Sequence, residues 1–411
     1  MSDMRPKHAA MLQFPVRDDC LQVGGIPLTR LAQRIGRTPF YAYDRQLITD
    51  RVALLRQWLP EEIHVHYAMK ANPMPALVQH MAHLVDGIDV ASGAEMRVAL
   101  DTPMAAENIS FAGPGKRDDE LACAIAAGIV INLESEQEME RVAGQAERLG
   151  IQPKVAVRVN PDFELKSSGM KMGGGAKQFG VDAERVPAML ERMGGLGLDF
   201  EGLHIFSGSQ NLKVAAIQEA HEKTFQLAIA LAQHAPGEIR LINIGGGFGV
   251  PYFPGDAPLD LKAVGDNLRQ LLPEAKRQLP KARVVVELGR YLVAEAGIYV
   301  CRILERKKSR DKIFLITDGG LHHHLAASGN FGQVIRKNYP VIVGNKVRGM
   351  ARETVSVVGP LCTPLDLLAD QMEMSQAESG DLVVVFQSGA YGLTASPTAF
   401  LSHPAPVEVL V

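Results

Sequence analysis

Eight short apolar runs, each followed by a longer segment of helical period, constrain the fold of this chain more than any other feature. The runs are Ile63–Lys70, Gly87–Ser92, Ile109–Gly113, Ile129–Glu134, Lys154–Pro161, Phe200–Gly208, Leu241–Gly247 and Val284–Arg290. Each is rich in β-branched residues and closes on Gly, Pro or a polar residue, the pattern of strands buried on both faces of a parallel sheet. The intervening segments carry helix signals, such as Ser135 as N-cap with Glu138 three residues on. Eight such β-α units predict a (β/α)8 TIM barrel, whose chemistry sits at the C-terminal ends of the strands. Those ends carry Lys70, Asp89, Ser92, Arg158, Asn160, Ser207, Gly245, Gly246, Gly247, Glu287 and Arg290.

After Arg290 the rhythm changes. Ile298–Lys308, Lys312–Gly320, Glu353–Cys362, Asp381–Tyr391 and Pro406–Val411 read as strands without helices of barrel length between them. They predict an antiparallel β domain. With 411 residues the chain is too long for one ordinary core. The expected organisation is an N-terminal segment 1–36 that joins the β domain, a barrel over 37–297 and the β domain over 298–411. The loop Asp162–Gly180 is long and glycine-rich, and long loops in compact domains are usually functional or mobile.

Charge and composition exclude several classes of partner. The formal net charge is -3 with acids and bases mixed throughout, which gives no electrostatic case for nucleic acid. The most apolar stretch, Leu121–Leu133, is too short to span a bilayer, and the first residues lack the apolar core of a signal peptide. Cys20, Cys123, Cys301 and Cys362 form no C-x-x-C pair, so neither zinc nor a disulfide framework is expected, and a reducing cytoplasm fits.

Lys70 at the end of the first strand is the first chemical signal. In a partly desolvated barrel mouth a lysine loses its proton more easily than the free side chain, whose pKa is about 10.4, and then forms an imine with a carbonyl. The bland alternative is a surface lysine. Gly245, Gly246 and Gly247 follow the seventh strand, where glycine N–H groups in barrels often surround a phosphate, and Arg290 on the eighth adds a charged donor. A tight turn is the alternative for the glycines alone. Glu287, three residues before Arg290, suits the acid partner that the pyridine nitrogen of pyridoxal 5'-phosphate (PLP) requires. A structural salt bridge is its alternative.

The ordered motifs HYAMKANP, GIDVASGAE, HIFSGSQN, GGGFGVPYF, ELGRYLVAEAG, GPLC and SGAYG resemble the fold type III PLP decarboxylases, the group of diaminopimelate and ornithine decarboxylases with the alanine-racemase-type barrel. The resemblance covers nearly the whole chain. It implies a PLP-dependent carboxy-lyase, active as a homodimer in which each site is completed by the partner's β domain. It implies that Lys70 binds the cofactor, that Glu287 meets the pyridine nitrogen, that Ser209, Gly245, Gly246, Gly247 and Arg290 bind the phosphate, and that Gly289 is a further cofactor neighbour. Asp89, Ser92, Arg158, His204 and Phe206 are expected around the rest of the cofactor, and Tyr391 near its phosphate. Cys362 matches the cysteine that reprotonates the substrate carbon across the dimer; a small buried hydrophobe is its bland reading.

Departures from the group bear on substrate. Phe206 stands where its members usually have His, no Arg occurs in Asp318–Ala327, and Thr363 replaces the acidic residue after the cysteine. The segments GMKMGGGAKQFG, DGGLHHHLA, GPLCTPLD and SGAYGLTASPTAF are more similar to the decarboxylases of carrier-protein-tethered glutamyl groups, known from the butirosin pathway, and to those that accompany exosortase systems. The expected substrate is therefore an amino acid or an aminoacyl carrier protein, touched by Arg290, His322, His323, Cys362, Thr363 and Tyr391. Consecutive histidines point in different directions, so His322–His324 are not expected to share one metal. A racemase on the same fold, a PLP carrier and a regulatory pseudoenzyme are the rivals. The GPLC loop, the full β domain and the retained lysine and phosphate motifs argue against each in turn.

Overall fold

All eight expected barrel strands form, and they close on themselves. The computed structural model describes residues 6–164, 170–171, 173–333 and 335–411; the middle of the glycine-rich 162–180 loop lies outside these. We number the barrel strands β1 (Ile63–Ala68), β2 (Gly87–Val90), β3 (Ile109–Phe111), β4 (Val130–Leu133), β5 (Lys154–Asn160), β6 (Asp199–Ile205), β7 (Leu241–Gly246) and β8 (Arg283–Leu288). Every neighbouring pair is parallel, and β8 pairs with β1 through Val284–Ile63 to Leu288–Tyr67, which closes the ring. Helices follow β1 to β7, from Pro75–Met81 to Leu261–Gln278. Ser135 caps the helix Glu136–Leu149 by accepting the Glu138 N–H at 3.0 Å, as its spacing implied. The Glu138 carboxylate does not complete that box; it accepts instead from Lys116 Nζ and from the Glu134 N–H.

The barrel interior is layered. Val130, Ala156, Leu241 and Val285 form an apolar plug. The next inward-facing positions are polar and buried: His66, Asp89, Ser110, Asn132, His204, Asn243 and Glu287. Inward positions alternate along each strand, so a change from apolar to polar two residues on marks the passage from plug to mouth. The strands approach closely where β6 passes β7: a Cβ on Gly202 would lie 1.8 Å from Leu241 O.

Chain contacts divide the molecule into two units, one of residues 51–250 and 259–292, which holds the whole barrel, and one of residues 1–50, 251–258 and 293–411. The second is wider than residues 1–36 plus 298–411, because Phe40–Tyr43 is one of its strands. Its main sheet also holds β9 (Gly297–Ser309), β10 (Lys312–Thr317), β11 (Val341–Val343), β12 (Arg352–Val358), β13 (Leu367–Ser375), β14 (Leu382–Val385) and β15 (Val407–Leu410), beside a small sheet of Val16–Arg17, Cys20–Val23 and Ile26–Pro27. The sheet runs β11-β14-β9-β10-β12-β13, with Phe40–Tyr43 bridging β9 and β15. It is mixed, not purely antiparallel: β10 pairs with β12, and Phe40–Tyr43 with β15, in parallel. The β10–β12 connection is a long crossover, not a hairpin, and returns the chain in the same direction. Phe14, Leu21, Leu28, Leu31, Phe40, Ile298, Val300, Leu382 and Val384 fill its core. Among the described residues no helix is long and apolar enough to cross a membrane, and the four cysteines are free.

Candidate active site

The mouth of the barrel gathers the strand-end residues around one buried carboxylate. Glu287, on β8, is 5% exposed. Its Oε1 lies 3.4 Å from Lys70 Nζ, and its Oε2 lies 3.1 Å from His204 Nε2 and accepts from Asn243 Nδ2 at 3.4 Å. Burial alone would push this carboxyl up, but the Lys70 ammonium, then His204, then the more distant Arg158 hold it well below the usual carboxylate range. Glu287 is therefore an anion. Lys70 sits in the turn Met69–Ala71 that ends β1, and its side chain keeps 40% of its surface in solvent. Its ammonium lies 5.7 Å from the centre of the buried Phe206 ring, and His204 meets that ring edge-on at 6.4 Å. Gly289 lets the end of β8 come this close, since a Cβ there would lie 2.9 Å from both Ala68 O and Ala71 Cβ.

The glycine turn has the backbone expected of an anion cradle. Gly245 and Gly247 are left-handed, with φ of 69° and 76°. Gly246 is pressed on β8: a Cβ would lie 2.3 Å from Glu287 O. The Gly245 N–H donates to Asn243 Oδ1 at 2.8 Å, and the turn is tied back through Asn211 N to Gly247 O at 2.8 Å and Gly249 N to Asn211 O at 2.9 Å. Ser209, in the two-residue strand Gly208–Ser209, pairs antiparallel with Met170–Lys171. Arg290, half-buried, opens the short helix Arg290–Val293.

Three expected cofactor neighbours have their side chains committed to other partners. Ser92 Oγ accepts the Glu95 N–H at 3.2 Å and so caps the helix Gly93–Leu100. Arg158 Nη1 donates to Glu134 Oε1 at 2.8 Å, within a buried set that includes Lys116 and Glu138. Asp89 Oδ1 faces His66 Nδ1 at 3.2 Å and accepts from Ser110 Oγ, which in turn accepts from Asn132 Nδ2 at 3.2 Å. Asp89 Oδ2 is buried with no hydrogen-bond partner among the described residues. Sequence reasoning missed His66, Ser110, Asn132, Glu134 and Lys116, and also Glu95. Burial raises the Glu95 carboxyl, whereas the Ala91 N–H and the Lys70 charge draw it down. The polar residues at alternate positions of β1 to β4 were the available signal.

The remaining candidates lie in the sheet unit. Cys362 is exposed in the turn between β12 and β13, and the Thr363 hydroxyl accepts the Leu365 N–H at 3.3 Å. Tyr391 is half-buried with a left-handed φ of 51°. The histidine run is buried, and its three rings differ in their hydrogen-bond partners. His323 is 3.1 Å from Tyr299 Oη and 3.0 Å from Pro404 O; His324 is 2.9 Å from Ser388 Oγ. His322 has neither ring nitrogen bonded among the described residues. Among those residues no group of three His, Cys, Asp or Glu side chains is placed to hold a metal ion.

An amine open to solvent, an ionised carboxylate beneath it, an aromatic wall and a left-handed glycine turn together fit PLP. The buried, unpartnered Asp89 Oδ2 adds an acceptor for a polar guest. The sequence profile of the pyridoxal-dependent decarboxylase, pyridoxal binding domain, matches residues 45–294. The chain is 38% identical to the L-glutamyl-[BtrI acyl-carrier protein] decarboxylase of Niallia circulans, over 93% of this chain and 90% of that one. It is 33% identical to the diaminopimelate decarboxylase of Aquifex aeolicus, over 96% and 91%. The crystal structure of diaminopimelate decarboxylase from M. jannaschii with L-lysine superposes with a TM-score of 0.88 at 25% identity, covering 97% of this chain and 92% of that one.

Proposed function

This chain belongs to the pyridoxal-dependent decarboxylases, and from that membership we propose that it removes the α-carboxylate of an aminoacyl group carried on an acyl carrier protein. The coarser statement, a PLP-dependent amino-acid carboxy-lyase, follows from the family itself. The observation that carries the finer reading is the likeness to the Niallia circulans enzyme along almost the full length of both chains.

The side chains agree with a substrate whose far end is neutral. A distal carboxylate or ammonium, once desolvated, costs several kcal/mol unless it is paired. No Arg occurs in Asp318–Ala327, and Thr363 stands after Cys362. The next arginine, Arg336, donates to Ser328 O, Asn338 Oδ1 and Leu367 O at 3.2, 2.6 and 3.0 Å, so its guanidinium is engaged within its own unit. A thioester to a carrier needs no such charge. The glycine stretch Gly173–Gly175 is our candidate for the entry of the carrier's arm.

When bound, PLP supplies an electron sink for the pair left on the substrate carbon as CO2 departs. Lys70 is the amine that would hold it and give way to the substrate amine. Glu287, kept ionised by Lys70 and His204, would hold a proton on the pyridine nitrogen. The glycines 245–247, Ser209 and Arg290 would bind the phosphate, with Tyr391 beside it. Phe206 and His204 would bound the ring, and Asp89 would offer its unpartnered oxygen. Cys362 would deliver a proton to the substrate carbon, from the sheet unit of the partner in a homodimer. His322 and Thr363 would line the substrate's far end.

The test is kcat/KM for glutamyl and other aminoacyl carrier proteins against free diaminopimelate, ornithine and glutamate. Preference for a carrier-bound substrate by about 100-fold or more is expected, the size of one unpaired buried charge. Efficient turnover of free diaminopimelate would favour the alternative that the Aquifex aeolicus relative represents.

A further inference from the structure

Two turns of the sheet unit that the reaction has left unconnected are tied to one buried carboxylate. Asp366 is 2% exposed. Its Oδ1 accepts the Leu321 N–H at 2.6 Å and its Oδ2 accepts the Leu361 N–H at 2.8 Å. Both turns lack a side chain where they meet it. A Cβ on Gly320 would lie 2.1 Å from Asp366 Oδ1, and one on Gly359 would lie 2.4 Å from Oδ2 and 2.6 Å from Gly320 Cα. Main-chain bonds complete the second turn: Gly359 N to Asp366 O at 3.2 Å, Thr363 N to Leu361 O at 2.8 Å and Asp366 N to Thr363 O at 3.3 Å. Cys362 is thus an exposed residue of a turn whose start, at Leu361, is bonded to the side chain of its last residue, Asp366.

The first turn is a firm anchor. His323 N and His324 N both donate to Gly320 O at 3.0 Å. The His323 ring is held between Tyr299 Oη and Pro404 O, and its carbonyl accepts from Tyr41 Oη at 2.7 Å. The His324 ring meets Ser388 Oγ through Nε2 and accepts the Ala327 N–H through Nδ1 at 3.2 Å. Two of the three rings in the run are therefore spent on fixing the turn. Both Asp366 oxygens accept from N–H groups, so the geometry calls for the carboxylate, although burial pushes its pKa up against those two bonds.

We propose that Asp366 is the positioning residue of Cys362, and that the buried histidine turn is the anchor through which it holds the thiol for proton delivery. The inference rests on the reading of Cys362 as proton donor. In that step the S–H bond breaks as the substrate carbon's electron pair takes the proton, and water returns a proton to the thiolate. Asp366 exchanges no proton.

A double-mutant cycle on the holoenzyme tests it. Asp366→Asn keeps the volume but sets an NH2 group against one of the two N–H donors. It is expected to lower kcat at least about tenfold, with KM within about twofold, while in a Cys362→Ala background it changes kcat by less than about twofold. In resting enzyme, alkylation of Cys362 by iodoacetamide relative to the exposed Cys123 should rise at least about threefold as the turn loosens. Where Asp366→Asn fails to fold, Gly359→Ala crowds the same carboxylate and must give the same non-additivity. An equal loss of kcat with and without Cys362, or an unchanged alkylation ratio, overturns the positioning role. If Cys362→Ala alone leaves kcat intact, the proton-donor reading itself fails, a result distinct from additivity.

Discussion

Glu287→Gln separates a catalytic carboxylate from a structural salt bridge, because the two readings predict opposite balances of activity and stability. Glu287 Oε1 lies 3.4 Å from the Lys70 ammonium. At an effective dielectric constant near 20, a unit pair at that distance is worth about 5 kcal/mol. The Lys70 side chain is 40% exposed, so solvent screens the pair and about 2–3 kcal/mol is a fairer figure. If that charge acts on the bound cofactor's ring nitrogen instead, its loss lowers kcat roughly 100-fold. Stability should change far less. The amide relieves the burial of a charge, and Lys70 turns to water, so the urea-unfolding free energy of the apoprotein should stay within about 1 kcal/mol. The assay is kcat at saturating PLP and substrate, with unfolding followed in parallel, and Glu287→Asp as the charge-retaining control. Retention of kcat within about threefold would refute the reasoning. So would a loss of activity that merely tracks a loss of stability of several kcal/mol.

His221 is buried with neither ring nitrogen bonded among the described residues, and burial pushes its pKa down to about 4 from 6.5. The unfolded chain therefore binds the extra proton between those values, and this group's contribution, full above the higher one, falls by about 3 kcal/mol as pH drops through the window; His221→Phe should flatten the pH dependence of the urea midpoint, and an unchanged slope would contradict this. Gly246→Ala forces a Cβ against Glu287 O, 2.3 Å away, and should weaken PLP binding to the apoprotein, read by fluorescence titration, about tenfold or more; unaltered affinity would show that the turn is not the cradle. Mixed Lys70→Ala and Cys362→Ala proteins, the first inactive and the second strongly impaired, should recover about a quarter of wild-type activity if sites are shared across a two-fold dimer; no gain over the impaired parent despite proven subunit exchange would exclude sharing.

What the sequence disclosed and what it hid have a common physical cause. The barrel strands were legible because a strand buried on both faces reads as an apolar run whatever its partners. Lys70, Glu287 and the glycines stood out because they end such runs. The parallel β10–β12 pairing was not legible, since strand direction depends on which distant segment returns beside it. Leu367–Ser375 was missed because its alternation is broken by Asp370, Gln371 and Glu373. Ser92 and Arg158 read as residues of the mouth, but their protein partners were not legible: the helix N-terminus for the one, and Glu134 for the other. Such partners sit on separate strands and meet only when the barrel closes. Asp366 escaped notice for the same reason, its two acceptors being used by turns 40 residues apart in the chain.

Lys70 is the residue we propose to hold PLP. Borohydride reduction of the yellow holoenzyme, followed by proteolysis and peptide mass mapping, tests this directly. The predicted result is a single pyridoxyl-modified peptide carrying Lys70, with absorbance near the visible edge lost on reduction. Modification of a different lysine, with none at Lys70, would contradict it.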